Sequence, residues 1–124
     1  MRKKISVKTK SVYDKEDETD GLRVLVTRYW PRGVKRERAD LWIRGLGPST
    51  ELIKDWKKGA LEWDEFRKRF EKEFRDEGKQ KLLDELEKAV IESGEKKATL
   101  LCTCREEAVC HRIILKEMIE EGGA

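Results

Sequence analysis

Three stretches of the chain carry the apolar patterns of β-strands. Ile5, Val7 and Thr9 alternate with polar residues, which is typical of a half-buried strand. This stretch is also a candidate for antiparallel pairing at a sheet edge. Residues 22–27, a β-branched apolar run, are predicted as the central strand, and residues 98–102 as a third strand.

Apolar positions at helical spacing occupy most of the chain between and after these strands. Residues 40–46 are predicted as one or two helical turns, and residues 48–50 carry the start signals of a helix that ends at Gly59. The next helix has an aromatic face and is expected to end at Gly78. The aromatic residues are Trp63, Phe66, Phe70 and Phe74. A further stripe is Leu82, Leu86 and Val90, and the final helix, near residues 110–121, carries Ile114, Leu115, Met118 and Ile119.

The predicted elements follow the order strand, strand, several helices, strand and helix. Helices between two apolar strands favour a parallel crossover, which is almost always right-handed. The sequence shows no internal repeat and no linker that would separate two domains. We therefore predict a single α/β domain over residues 1–124, with a small, mostly parallel sheet flanked by helices in a three-layer, Rossmann-like arrangement.

Charged residues make up 44% of the chain, against about 25% in an average soluble domain. The 29 basic and 26 acidic side chains nearly cancel to a net charge of +3, so the overall charge does not imply nucleic-acid binding. No run approaches the ~20 apolar residues that cross a bilayer, and the basic start leads into no apolar signal segment. Together with the odd count of 3 cysteines, this predicts a cytoplasmic protein with reduced thiols and no membrane partner.

The dense and balanced charge also bears on temperature. Asp64 with Lys68, and Glu65 with Arg69, are i,i+4 pairs on the polar side of the aromatic helix. Ion-pair networks stabilise proteins better at high temperature, because the cost of desolvating charges falls as the temperature rises. The composition therefore predicts a heat-adapted protein from a thermophilic source.

Cations and aromatic rings follow the central strand, at the end where open α/β sheets bind ligands. Arg28, Arg32 and Lys35 supply charge, and Tyr29 and Trp30 offer stacking faces. Guanidinium groups hold phosphate or carboxylate with two hydrogen bonds, so this segment predicts a site for an anion or a nucleotide. The structural alternative is that the rings cover the core while the cations pair with the abundant carboxylates.

A cluster of thiols follows the third strand and runs into the last helix. Cys102 and Cys104 lie at the strand end, and Cys110, His111 and Arg112 at the helix start. A helix N-terminus favours anions and thiolates, and the chain has 1 histidine, so Cys110 and His111 are candidate catalytic residues.

Three interpretations of this cluster stay open. In the first, Cys110 or His111 acts as a nucleophile or an acid–base group. In the second, Cys102 and Cys104 join Cys110 and His111 in a zinc site. The C-x-C spacing is unusual for zinc, and the adjacent Cys110 and His111 are expected to point in different directions. In the third, which we favour, the thiols are small buried side chains with local hydrogen bonds, so we expect no metal and no cofactor.

Several blocks in order along the chain form a recognisable series. They are residues 20–26, 28–33, 48–52, 99–101 and 110–112, with Trp42, Trp63, Phe66 and Phe70 between them. This series, and the Trp-Pro-Arg-Gly block above all, resembles the DUF488 family of small bacterial and archaeal proteins, in its short single-domain branch. The resemblance implies a single α/β domain in a cytoplasmic setting. It is best matched around Arg28, Trp30 and Arg32, which favours the arginines over the thiols as the functional groups.

These observations predict a cationic pocket for a phosphate-bearing small molecule or a nucleotide. The ligand-binding residues would be Arg28, Trp30, Arg32 and Lys35 from the loop and Arg112 from the helix start. One alternative is a nucleic-acid-binding module that uses residues 28–38, and another is a protein-interaction domain without catalysis. The sequence assigns neither a reaction nor an oligomeric state.

Overall fold

The computed structural model describes residues 5–103 and 110–120, and its strands form one sheet. The strands are β1 (Ser6–Ser11), β2 (Leu22–Leu25), β3 (Leu41–Trp42) and β4 (Lys97–Cys102). They lie in the order β1-β4-β2-β3, and each neighbouring pair is parallel, which confirms the predicted α/β class. The antiparallel alternative for β1 is wrong. This strand lies at the edge but pairs parallel with β4, with Ser6 opposite Lys97.

The helices of the described residues separate into three between β3 and β4 and one after β4. They are α1 (Thr50–Lys57), α2 (Trp63–Glu73), α3 (Glu77–Glu92) and α4 (His111–Glu120). Short 3-10 turns occupy Glu18–Asp20, Arg36–Arg38 and Arg44–Leu46. Within the described part of the chain, no helix has the length and apolar character to cross a membrane.

Two predicted boundaries are wrong. Residues 40–46, predicted as helical turns, form the short strand β3 and the 3-10 turn Arg44–Leu46. Gly78 does not end the aromatic helix, because it lies in the first turn of α3, where its N–H donates to Asp76 Oδ1 over 2.7 Å. A glycine at a helix start resembles one after a helix end when two helices follow each other this closely.

The larger core lies on the face of the sheet that carries the helices. The residues in the strands or next to them are Ile5, Val7, Val24, Val26, Ala98 and Leu100. The residues in the helices or next to them are Leu52, Phe66, Phe70, Phe74, Leu83, Leu86, Val90, Ile114, Leu115 and Ile119. The aromatic face predicted for α2 is therefore buried, with Trp63 packed at its margin.

Loops and 3-10 turns cover the opposite face of the sheet. Leu25 and Leu101 point to that side, because successive residues of a strand face opposite ways. They form a second, smaller core with Val12. Residues packed over it are Trp30, Val34, Ala39 and Trp42. The sheet is thus the middle of three layers, with helices on one side and the segment after β2 on the other.

The connections diverge after the two central strands, β4 and β2. From β2 the chain continues to β3, away from β4, whereas β4 leads to α4, which packs against β1 and β4 itself. Parallel sheets open a crevice at such a switch point, outside the carboxyl ends of the strands. The fold therefore places its crevice at residues that follow Leu25 and Leu101.

Candidate functional site

A cavity of about 290 Å³ lies at the carboxyl ends of β2 and β4. Its buried floor is formed by Cys102 from the end of β4, by Cys110 just before α4, and by His111, the first residue of α4. The residues of its walls are Thr27, Arg28, Tyr29, Trp30, Pro31, Pro48, Ile53, Trp56, Lys57, Phe66 and Thr103. We refer to Cys102, Cys110 and His111 as the thiol–imidazole floor.

The aromatic walls are held in fixed positions by their own contacts. The indole N–H of Trp30 donates to the carbonyl oxygen of Val34 over 2.8 Å, and its ring meets Trp42 edge-on with centroids 5.4 Å apart. On the opposite wall of the cavity, the ring centroids of Trp56 and Phe66 lie 5.0 Å apart. Rings fixed in this way lose little freedom when a ligand binds between them, so they suit a preformed apolar pocket.

Two cations border the apolar cavity. The Nε of Arg28 donates to the Pro48 carbonyl oxygen over 2.6 Å, and its Nη2 donates to the Gly47 carbonyl oxygen over 3.3 Å. The backbones of Gly47 and Arg28 pass so close to each other that a Cβ on Gly47 would lie 2.6 Å from the backbone nitrogen of Arg28. Lys57, at the end of α1, is exposed at the rim. Arg28 is therefore fixed by the backbone around Gly47, while Lys57 is held less tightly.

Arg28 also borders a wide, open groove beside the cavity, which Lys79 lines as well. Burial lowers the pKa of Lys79, and the positive charge of Arg28 lowers it further. The ammonium group of Lys79 lies over the Phe74 ring, 5.6 Å from its centroid. The carboxylates of Glu51, Glu73 and Asp76 line the same groove, so its charge is mixed.

The atoms of the thiol–imidazole floor lie close together. The Sγ atoms of Cys102 and Cys110 are 3.3 Å apart, and Nδ1 of His111 lies 3.9 Å from each of them. A disulfide would need about 2.05 Å between the sulfurs, so these two thiols are not bonded to each other. The expectation that adjacent Cys110 and His111 point in different directions is wrong, because α4 begins only at His111 and Cys110 precedes it.

One hydrogen bond assigns the tautomer of His111. Its Nε2 lies 2.8 Å from the carbonyl oxygen of Val26, which can only accept, so Nε2 carries the proton. In the neutral ring the lone pair is then on Nδ1, the atom that faces both sulfurs. The Phe70 ring packs edge-on against the imidazole, with centroids 5.6 Å apart. The floor therefore presents two thiols and an imidazole nitrogen with unshared electrons to one point.

The structure brings some of the predicted site residues together and separates others. Arg28 and Trp30 share the cavity with Cys110 and His111. Arg32 and Lys35 are exposed and are not among the residues that line it. Arg112 is 3% exposed and donates from Nη1 to the Lys10 carbonyl oxygen, on the β1 side of the sheet. Cys104 lies outside the described residues. A convergence of Arg28, Arg32 and Arg112 on one ligand does not occur in this arrangement.

The sequence analysis missed the contribution of α1. Ile53, Trp56 and Lys57 line the cavity although they belong to the crossover between β3 and β4. Ile53 and Trp56 stand at helical spacing on one face, which signals an inward-facing side but not what it faces. Only the packing of α1 over the strand ends brings these residues to the site.

Fold and site together define a class: an α/β protein whose parallel strands end at an aromatic cavity with thiols and an imidazole on its floor. The chain belongs to the DUF488 family. The family model described as "Active DUF488-N3 subclade", DUF488-N3a, matches residues 7–123.

Two mycobacterial relatives match over most of the chain, and a relative from Escherichia coli matches over about half of it. The uncharacterized protein Rv3073c of Mycobacterium tuberculosis is 31% identical over 121 residues, which cover 96% of this chain and 98% of that protein. The uncharacterized protein Mb3100c of Mycobacterium bovis matches with the same identity and coverage. The uncharacterized protein YeaO of Escherichia coli is 37% identical over 68 residues, 53% of this chain and 59% of its own. No solved structure matches the chain.

Proposed function

We propose that the cavity binds a small organic molecule that carries a phosphate or similar anionic group. The observation that carries the proposal is the placement of Arg28 and Lys57 beside an aromatic cavity at the strand ends. A volume of about 290 Å³ is near the lower end for ligand pockets, which run from about 300 to 1,000 Å³. The occupant is therefore of the size of a sugar phosphate or a mononucleotide.

The chemistry of the walls favours a ligand with one flat apolar part and one charged part. A ring of the ligand would stack between Trp30 and Trp56, and its anionic group would face Arg28 and Lys57. Any reaction of the bound molecule would take place at the floor, where Cys110 and His111 are the candidate catalytic residues. We further propose a cytoplasmic location, because the odd count of 3 cysteines favours a compartment that keeps thiols reduced.

The test compares phosphorylated probes with their unphosphorylated counterparts. Adenosine monophosphate against adenosine, and ribose 5-phosphate against ribose, are titrated into the protein by calorimetry and followed by thermal shift. We expect the phosphorylated member of at least one pair to bind and to raise the melting temperature. Lys57→Gln should weaken that binding by about 10-fold or more, the value of one hydrogen bond to a charged group.

Arg32→Gln is the matched control, since it removes the same type of charge from the exposed loop outside the cavity. It should bind like the unsubstituted protein. Equal affinity for phosphorylated and unphosphorylated probes, or equal binding by the Lys57→Gln and unsubstituted proteins, would contradict the proposal. Arg28 is less suitable for substitution, because its hydrogen bonds to the backbone also support the fold.

The second candidate function is nucleic-acid binding by the segment 28–38. It is favoured by the exposed ring of Tyr29, which is 58% accessible, close in the chain to the exposed cations Arg32, Lys35 and Arg36. Fluorescence anisotropy with single-stranded oligonucleotides tests it, because log K should fall with log salt by about 0.7 per phosphate contact. Here the roles of the variants are exchanged: Arg32→Gln should weaken binding, and Lys57→Gln should not.

The third hypothesis, a protein-interaction domain that docks through its tryptophans, gains no support. Each of the four tryptophans is half-buried and packs against another, Trp30 with Trp42 and Trp56 with Trp63. Much of each indole ring is therefore already in contact with other side chains of the protein.

A further inference from the structure

We propose that Cys102, Cys110 and His111 bind a zinc ion through two sulfurs and one imidazole nitrogen. The three potential ligand atoms lie within 4.8 Å of one another, and all three residues are buried. The inference concerns the floor alone and does not depend on which molecule the cavity binds.

The separations of the ligand atoms match those of a tetrahedral site. Zinc binds sulfur at about 2.3 Å and imidazole nitrogen at about 2.0–2.1 Å, so neighbouring ligand atoms lie about 3.5–3.8 Å apart. Here the two sulfurs are 3.3 Å apart, and Nδ1 of His111 is 3.9 Å from each. Shifts of a few tenths of an ångström would therefore admit the ion without a change of fold.

The surroundings of His111 are those of a metal ligand. A histidine that binds metal through one nitrogen usually donates from the other to a carbonyl or carboxylate, which fixes the tautomer and the ring orientation. The Nε2 of His111 does this with the Val26 carbonyl oxygen at 2.8 Å, and Nδ1 is left facing the sulfurs. The edge of Phe70 supports the ring from the core side.

The cavity supplies the fourth coordination position. The three residues form the floor of a space of about 290 Å³, so a bound ion would meet a water molecule or a bound ligand on the cavity side. The described residues supply three protein ligands, and three ligands with an open position are the arrangement of zinc sites that act on substrates, whereas purely structural sites are closed by four protein ligands. Two thiolates and an imidazole favour zinc over magnesium or calcium, which take oxygen ligands.

Cobalt serves as the probe, because tetrahedral Co²⁺ with thiolate ligands gives visible d–d bands and a thiolate charge-transfer band that Zn²⁺ lacks. The full chain is reduced, stripped with a chelator and titrated with Co²⁺, then with Zn²⁺. We expect saturation at one Co²⁺ per chain with a tetrahedral spectrum, and displacement by one Zn²⁺. Elemental analysis of protein purified without chelator gives an independent readout.

Variants separate ligation from packing. We expect at least about 10-fold weaker Co²⁺ binding in each of three variants, Cys102→Ser, Cys110→Ser and His111→Gln. Loss of a residue that only hydrogen-bonds to a metal ligand already lowers metal affinity by about 10- to 100-fold. Phe70→Leu is the matched control: it disturbs the same buried contact with His111 but removes no ligand atom. It should keep the tetrahedral spectrum, and circular dichroism checks the fold of all four.

Several outcomes would overturn the proposal. They are no Co²⁺ uptake by the reduced protein, an octahedral spectrum without a thiolate band, or equal loss of Co²⁺ binding in Phe70→Leu and Cys110→Ser. The failure of the zinc site is distinguishable from the failure of the proposed ligand pocket, because Co²⁺ binding is measured without any phosphorylated probe. Lys57→Gln should keep its Co²⁺ binding, which shows that the experiment measures the metal site independently of the ligand pocket.

Discussion

At the scale of single residues, Asp20 is the one buried carboxylate in the described part of the chain, 2% exposed. Its oxygens accept hydrogen bonds from the ammonium groups of Lys8 and Lys10, each at 3.0 Å, and from the Asp17 N–H at 3.1 Å. Burial alone would raise the pKa of Asp20, but the hydrogen bonds from the two lysines and the backbone outweigh it and hold the pKa below its ordinary value. Ionised Asp20 therefore stabilises the fold.

Asp20→Asn should lower the free energy of unfolding at pH 7 by about 2 kcal/mol, the value of hydrogen bonds to a charged group. Because the folded pKa is depressed, this stabilisation is complete above the unfolded pKa of about 4 and is lost as the pH falls through the folded pKa. Urea unfolding at pH 7 and near pH 3 should therefore show a difference between the two proteins that shrinks on acidification. Asp64→Asn, at an exposed position, should show little difference at either pH; a constant gap for Asp20→Asn would contradict the assignment.

At the scale of elements, Arg67 and Arg69 of α2 each form an ion pair with another helix, although Arg67 also pairs with Glu71 of its own helix at 3.4 Å. The i,i+4 pairing expected between Glu65 and Arg69 is wrong: Arg69 instead binds Asp55 of α1 at 2.7 Å. Glu65 accepts from the Glu62 N–H at the start of α2, where it completes a capping box. Residue spacing identifies the carboxylates of the same helix that Arg69 can reach. It does not show that α1 packs close enough for Asp55 to bind Arg69 instead.

Gly21 shows how one backbone position fixes the entry to β2. It has a φ of +66°, and a Cβ there would overlap the carbonyl oxygen of Lys97 on β4. Gly59, after α1, has a similar φ of +73° but nothing within 4 Å of its Cβ position. Gly59→Ala should cost about 1–2 kcal/mol from backbone strain alone, and Gly21→Ala clearly more.

Urea denaturation of both glycine variants measures this difference directly. Gly21 and Gly59 have nearly the same φ, but only Gly21 has a neighbouring strand against its Cβ position. Equal destabilisation would mean that β4 moves aside without cost. The close approach of β4 would then not be the reason that position 21 requires glycine.

At the scale of the whole molecule, ion pairs join parts of the chain that lie far apart in sequence. Arg67 of α2 donates to both carboxylate oxygens of Glu117 on α4, at 3.2 and 2.8 Å. The hydrogen bonds that Arg67 donates to Glu117 raise the pKa of Arg67. Such links between helices are the kind of network that gains value with temperature.

We expect the melting temperature to exceed about 65 °C, the upper end of the mesophile range. Arg67→Gln should lower it by about 2–5 °C, since a partly exposed bidentate pair contributes up to about 1 kcal/mol. Lys68→Gln, the exposed neighbour, should leave it nearly unchanged and serves as the control. Differential scanning calorimetry checks both; a midpoint below 65 °C in the unsubstituted protein would remove the argument for heat adaptation.

The sequence by itself determined the α/β class, two strands and the buried face of α2. The strands predicted at residues 22–27 and 98–102 are observed at Leu22–Leu25 and Lys97–Cys102. Periodicity carries this information, because burial of one face imposes a repeat of two or 3.6 residues on each element separately. The same signal missed β3, where two residues are too few to show a repeat.

Only the tertiary structure decided which elements meet. Insertion of β4 between β1 and β2 places Cys102 beside the residues that follow β2, and the start of α4 turns Cys110 and His111 toward one point. The crossover brings Lys57 to the same cavity and leaves Arg32 outside it. These placements depend on strand order and helix packing over long sequence separations, and a local pattern of apolar and charged residues contains no record of them.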